Sequence, residues 1–82
     1  MTKEAITDAI ISQIQTVAPE IETDDIRPDA HIQRSLEIDS FDFLKILTAL
    51  KEILGVEVPE ADYAQVDTLA KMRDYFAERV SI

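Results

Sequence analysis

The stretch Asp39-Ser40-Phe41-Asp42-Phe43-Leu44-Lys45-Ile46-Leu47-Thr48-Ala49-Leu50-Lys51-Glu52-Ile53-Leu54-Gly55 decides the reading of this chain. At about 100° per residue, Phe43, Leu44, Ile46, Leu47, Leu50, Ile53 and Leu54 form one broad apolar face, as expected of a helix lying on a core. Asp39 can cap the start, and Asp42 faces the positive helix end from the first turn. Gly55 is well placed to stop the helix, because it takes the left-handed conformation without a steric penalty. Phe41 lies off the apolar face. It projects with Lys45, Thr48 and Glu52 toward solvent, one residue after Ser40. Wheel geometry alone leaves two readings of that aromatic: a scattered exposed apolar residue, or a partner's anchor ringed by charges.

On the N-terminal side, Glu20 to Ser35 reads as a long acidic connection, with Glu20, Glu22, Asp24, Asp25 and Asp29 against Arg27 and Arg34. Ile21, Ile26, Ala30, Ile32 and Leu36 pin it to the core. Further back, the spacing of Ile6, Ile10 and Ile14 predicts a helix over Lys3–Ala18, widened by Ile11 and Val17, capped by Thr2 and ended by Pro19. Beyond Val56-Glu57-Val58-Pro59 comes a short helical turn around Asp62 to Val66. A last helix follows from Thr68 to Val80, capped by Asp67 or Thr68, with Leu69, Met72, Phe76 and Val80 on its inner face. One glycine and three prolines leave little punctuation, and no sheet-like alternation or internal repeat interrupts the pattern. The expectation is an all-α fold, a small helical bundle of three longer helices and one short helix, forming a single domain over residues 1–82.

Composition narrows the function. The 82 residues carry 17 acids against 8 bases, a formal charge of −9. A field of that sign repels phosphate backbones and anionic headgroups, so nucleic acid and membrane surfaces are disfavoured as partners and basic proteins are favoured. Met1-Thr2-Lys3-Glu4 lacks the basic region of a targeting peptide, and no apolar stretch is long enough for membrane insertion. A cytoplasmic monomer is expected.

No catalytic constellation survives inspection. Ser12, Ser35, Ser40 and Ser81 offer hydroxyls, but His31 is the one possible base and no glycine-rich elbow surrounds any serine. His31 reads as a solvated loop residue. The chain has no cysteine, which removes disulfides and thiolate metal sites. An EF-hand fails as well, because Asp25 sits where the loop needs glycine and His31 where it needs the bidentate glutamate.

Asp39-Ser40-Phe41-Asp42 resembles the motif of acyl carrier proteins, Asp-Ser-Leu at the start of the family's second helix, whose serine carries 4′-phosphopantetheine. Leu36 matches the leucine of the family's Leu-Gly-x-Asp-Ser-Leu stretch. Ala49-Leu50-Lys51-Glu52 with Gly55-Val56-Glu57-Val58-Pro59 resembles the end of that helix and its exit, and Asp74-Tyr75-Phe76 resembles part of the last helix. The resemblance covers nearly the whole chain. It implies a non-enzymatic carrier with 4′-phosphopantetheine on Ser40, holding acyl groups as thioesters. Its partners would be a phosphopantetheinyl transferase and acyl-processing enzymes such as a ligase, synthase or acyltransferase. The partner-binding face it implies comprises Asp39, Phe41, Asp42, Lys45, Thr48 and Glu52.

Three departures from the pattern bear on this. Glu37 replaces the usual glycine, so the turn before the serine should be made differently. Phe41 replaces leucine, enlarging the apolar contact. Lys45 stands where relatives commonly place an acid, and Lys51 adds another positive charge; both point to a specialised rather than housekeeping carrier, in fatty-acid or other lipid metabolism. Asp39 in place of histidine speaks against a peptidyl carrier. A D-alanyl or other aminoacyl carrier, and an unmodified helical adaptor, remain as alternatives.

Overall fold

A computed structural model describes residues 2–80; Ser81, one of the hydroxyls weighed above, lies outside the described residues. Four α-helices follow in order, α1 Lys3–Val17, α2 Ile32–Ser35, α3 Ser40–Leu54 and α4 Leu69–Arg79, with 3-10 turns at Thr23–Asp25 and Glu60–Val66. Among the described residues there is no strand, only an isolated bridge between His31 and Thr68. The expected order of three longer helices is present.

Each long helix starts where a side chain accepts an otherwise orphaned amide. Ala5 N–H donates to Thr2 Oγ1 at 3.0 Å, Asp42 N–H to Asp39 Oδ1 at 2.8 Å, and Lys71 N–H to Thr68 Oγ1 at 3.1 Å. Thr68, not Asp67, is therefore the cap of α4. At the end of α3, Gly55 takes φ +72° and donates its N–H to the Lys51 carbonyl at 2.8 Å.

Helix α1 packs on both α3 and α4, and the Glu60–Val66 turn lies on α4. Ile6, Ile10 and Ile14 from α1, Ile46 and Leu50 from α3, and Met72 and Phe76 from α4 are essentially inaccessible to solvent. Burying a side chain of that size stabilises by roughly 1.5–3 kcal/mol before ordering costs, so this cluster is what holds the bundle together. Tyr75 joins the inner face of α4, while Val80 is only partly buried.

Several expectations need correction. The face of α3 is narrower than its apolar content suggested: Leu44 and Ile53 are 43% and 50% exposed. Both sit on the edges of the buried stripe made by Phe43, Ile46, Leu47, Leu50 and Leu54. The acidic connection is partly helical, since it contains the Thr23–Asp25 turn and α2. Asp25 Oδ2 accepts the Glu22 N–H at 3.1 Å, and Gln15 Nε2 on α1 donates to Ile21 O and Thr23 Oγ1 at 3.3 and 3.2 Å. His31 is not a solvated loop residue. Its Nδ1 accepts the Arg34 N–H at 3.2 Å, capping α2, and its Nε2 lies 4.0 Å from Asp67 Oδ2.

The connection is also sewn to the far end of the chain. Ile32 N–H donates to Asp67 O and Ala70 N–H to Pro28 O, both at 2.8 Å. These two bonds fix the segment before α3 against the start of α4.

Candidate functional site

Ser40 is the first residue of α3, directly after its cap. Asp39 Oδ1 engages the Asp42 amide and Asp39 O the Phe43 amide, so these bonds leave the Ser40 and Phe41 amides of the first turn. The residue is exposed. An accessible hydroxyl beside free amides at the positive end of a fifteen-residue helix fits a phosphodiester, whose negative charge those groups favour.

The turn leading into it carries backbone strain. Glu37 adopts φ +56°, the left-handed region that glycine enters freely and a residue with a Cβ enters at a cost of roughly 1–2 kcal/mol. The departure at this position therefore does not change the kind of conformation glycine provides; Glu37 is forced into it. Ile38 N–H then donates to Gln33 O at 3.0 Å, fastening the turn to α2.

On the solvent side of α3, four of the six expected partner residues lie together. Phe41, Lys45, Thr48 and Glu52 line a shallow surface groove of about 350 Å³, together with Leu44 and Ala49. Phe41 is 69% exposed. Lys45 Nζ lies 5.0 Å from the Phe41 ring centroid and 3.9 Å from Asp42 Oδ1, so one cation engages both the aromatic and the acid. Asp39 stands apart as the cap. Leu44 and Ala49 belong to the groove although the sequence pattern assigned Leu44 to the core. Gln33, whose Nε2 lies 3.4 Å from Ser40 Oγ, was missed entirely because it falls in the segment read as a connection.

At the other end of α3, Lys51 Nζ and Glu57 Oε1 pair at 2.7 Å. That hydrogen bond, more than the accompanying charge attraction, holds Lys51 above and Glu57 below their ordinary values. A smaller crevice lies between these residues and Leu44, Leu47, Thr48, Val58 and Tyr63. Among the described residues no cluster of three metal-ligating side chains occurs, and no helix is long and apolar enough to cross a membrane.

A short helical bundle presenting a capped, accessible serine at the start of α3 is compatible with a class of prosthetic-group carriers. Comparison with known proteins places the chain within it. Residues 8–76 match the phosphopantetheine attachment site family. Relatives include an acyl carrier protein of Lactobacillus johnsonii, 31% identical over 92% of this chain and 92% of the relative. Another, the acyl carrier protein AcpXL of Mesorhizobium japonicum, is 37% identical over 80% of this chain and 73% of its own. An acyl carrier protein of Rubrobacter xylanophilus is 26% identical over 84% and 89% respectively. The chain belongs to the acyl carrier protein family, whose members are carriers rather than enzymes and bear covalent 4′-phosphopantetheine.

Proposed function

We propose that this protein carries acyl groups as thioesters on a 4′-phosphopantetheine arm attached to Ser40, and presents them in the cytoplasm to a specialised set of partner enzymes. The observation that carries the reading is the placement of Ser40: exposed, first in α3, beside the Asp39 cap, and within the matched residues. Once attached, the arm supplies the thiol that a cysteine-free chain lacks. Ser40 Oγ becomes the ester oxygen of its phosphodiester. Asp39 and Asp42, whose charge does not suit a phosphate, serve recognition by the phosphopantetheinyl transferase.

The groove on α3 is the docking face. Phe41 is its aromatic anchor, with Thr48 and Glu52 beside it. Lys45 supports a specialised role, because a cation there repels enzymes whose own docking sites are basic and favours one that places an acid opposite.

Co-expression with a broad-specificity phosphopantetheinyl transferase, followed by intact mass measurement, tests the reading. Wild type should gain the mass of the arm and Ser40→Ala should not. An unshifted wild type would mark the chain as an unmodified adaptor, and a shifted alanine variant would move the attachment elsewhere. Loading of the modified protein by acyl ligases, but not by D-alanyl or other aminoacyl ligases, is the expected second result.

A further inference from the structure

Gln33 is the side chain that reaches Ser40. It sits on α2, seven residues earlier in the chain, and its Nε2–H donates toward Ser40 Oγ across a long 3.4 Å. Two separate functions meet in this residue. Its main-chain carbonyl accepts the Ile38 N–H at 3.0 Å and so holds the turn that precedes α3. The carboxamide is not needed for that. It is free to act on the serine.

The charges beside Ser40 in sequence are Glu37, Asp39 and Asp42, all acids. A phosphodiester on Ser40 adds another negative charge among them. A neutral N–H donor offsets that charge without itself pairing the acids, and so leaves the Asp39 cap and the Asp42–Lys45 pair as they are. An arginine at the same place would neutralise them instead.

We propose that Gln33 is a positioning residue for the prosthetic group: its carboxamide N–H holds Ser40 Oγ before attachment and an oxygen of the phosphodiester afterwards. The inference rests on Ser40 being the attachment site. It adds a residue from a different element, contributed by the short helix that His31 caps.

Gln33→Met keeps the side chain's length and the main-chain bond while removing the donor; Gln33→Glu replaces the donor with a charged acceptor. Full-length apo protein of each kind would be modified with coenzyme A and a phosphopantetheinyl transferase. For Gln33→Met, kcat/KM should fall roughly three- to tenfold, as loss of one neutral hydrogen bond implies, and the fall should be in kcat because the docking groove is untouched. Gln33→Glu should fall further. Melting temperatures should match wild type. In the modified proteins, the ³¹P resonance of the methionine variant should differ from wild type. On modification of wild type, the Gln33 side-chain amide signal should move more than those of Gln13, Gln15 and Gln65. Wild-type kinetics and an unshifted ³¹P signal in Gln33→Met would overturn the inference alone. So would a rate loss matched by a lowered melting temperature, which would make the residue merely structural. Failure of wild type to be modified would instead overturn the Ser40 reading and remove the inference with it.

Discussion

Helix α3 has two apolar surfaces with opposite fates. Phe43, Ile46, Leu47, Leu50 and Leu54 are buried within the bundle, while Phe41, Leu44 and Ile53 remain in water. Residue type does not distinguish the sets, since each contains phenylalanine, leucine and isoleucine. What separates them is angular position: the inner stripe faces the shared core, and the outer residues lie off it at the helix surface. Hydrophobicity on this helix thus serves folding on one side and is available for association on the other.

The sharpest way to break the comparison is to truncate one residue from each side. Leu50→Ala should cost about 2–5 kcal/mol, because a fully buried side chain leaves a cavity when shortened. Thermal unfolding would register this as a fall of about eight degrees or more, given about 4–8 °C per kcal/mol in a domain this small. Phe41→Ala should affect unfolding far less, losing only an exposed contact with Lys45 of about 0.5 kcal/mol. Its effect belongs in binding: affinity for the cognate enzyme should drop by about 2 kcal/mol, near thirtyfold, measurable by calorimetry. An unfolded Phe41→Ala would place that ring among the core residues and erase the distinction.

A third substitution touches neither face. Glu37→Gly relieves the left-handed strain of the turn, worth about 1–2 kcal/mol, against about 0.5–1 kcal/mol for the added freedom of glycine in the unfolded chain. The net expectation is a stabilisation of about 0.5–1 kcal/mol, read as a raised urea midpoint with an unchanged slope. A loss of stability would mean that the Glu37 side chain contributes more than its backbone costs.

The smallest effect should come from the polar edge. Glu57 is held below its ordinary 4.5, so the stability it contributes is in place above pH 4.5 and drains away as pH falls through the lower folded value. Lys51, held above 10.5, contributes below that pH and loses its contribution as pH rises through the raised value. Both groups are exposed, so salt should blunt the pair. Melting curves from pH 3 to 6 should be only slightly flatter for Glu57→Gln than for wild type. A large difference would show that the exposed edge matters to folding as much as the core does.

Much of this arrangement is legible in the sequence because it depends on local rules. The caps at Thr2 and Asp39, the stop at Gly55 and the spacing of Ile6, Ile10 and Ile14 all act within a turn or two of themselves. Exposure of Phe41 beside Ser40 was legible for the same reason. What the sequence did not disclose depends on tertiary neighbours. Leu44 and Ile53 carry the same helical signal as Leu47 and Leu50, and only their position relative to the assembled core separates them. A four-residue helix such as α2 has too short a period to stand out in an acidic run, so the approach of Gln33 to Ser40 was hidden with it. The conformation of Glu37 was likewise illegible, since glutamate at a turn gives no sign that it will adopt a positive φ.

The two amide bonds that sew the chain across itself, Ile32 to Asp67 and Ala70 to Pro28, have a mechanical consequence. They close residues 32–67 into a ring, with both ends of the loop that contains α3 clamped together near the base of α4. A helix held in this way has a hinge rather than a slide available to it. Separation of α3 from the bundle would have to pivot about that clamp, and the Ser40 end is tied more closely to it through the Ile38–Gln33 bond. Hydrogen exchange would then show the gradient among bonded amides: those of Ile32 and Ala70 slow, and that of Gly55 quicker.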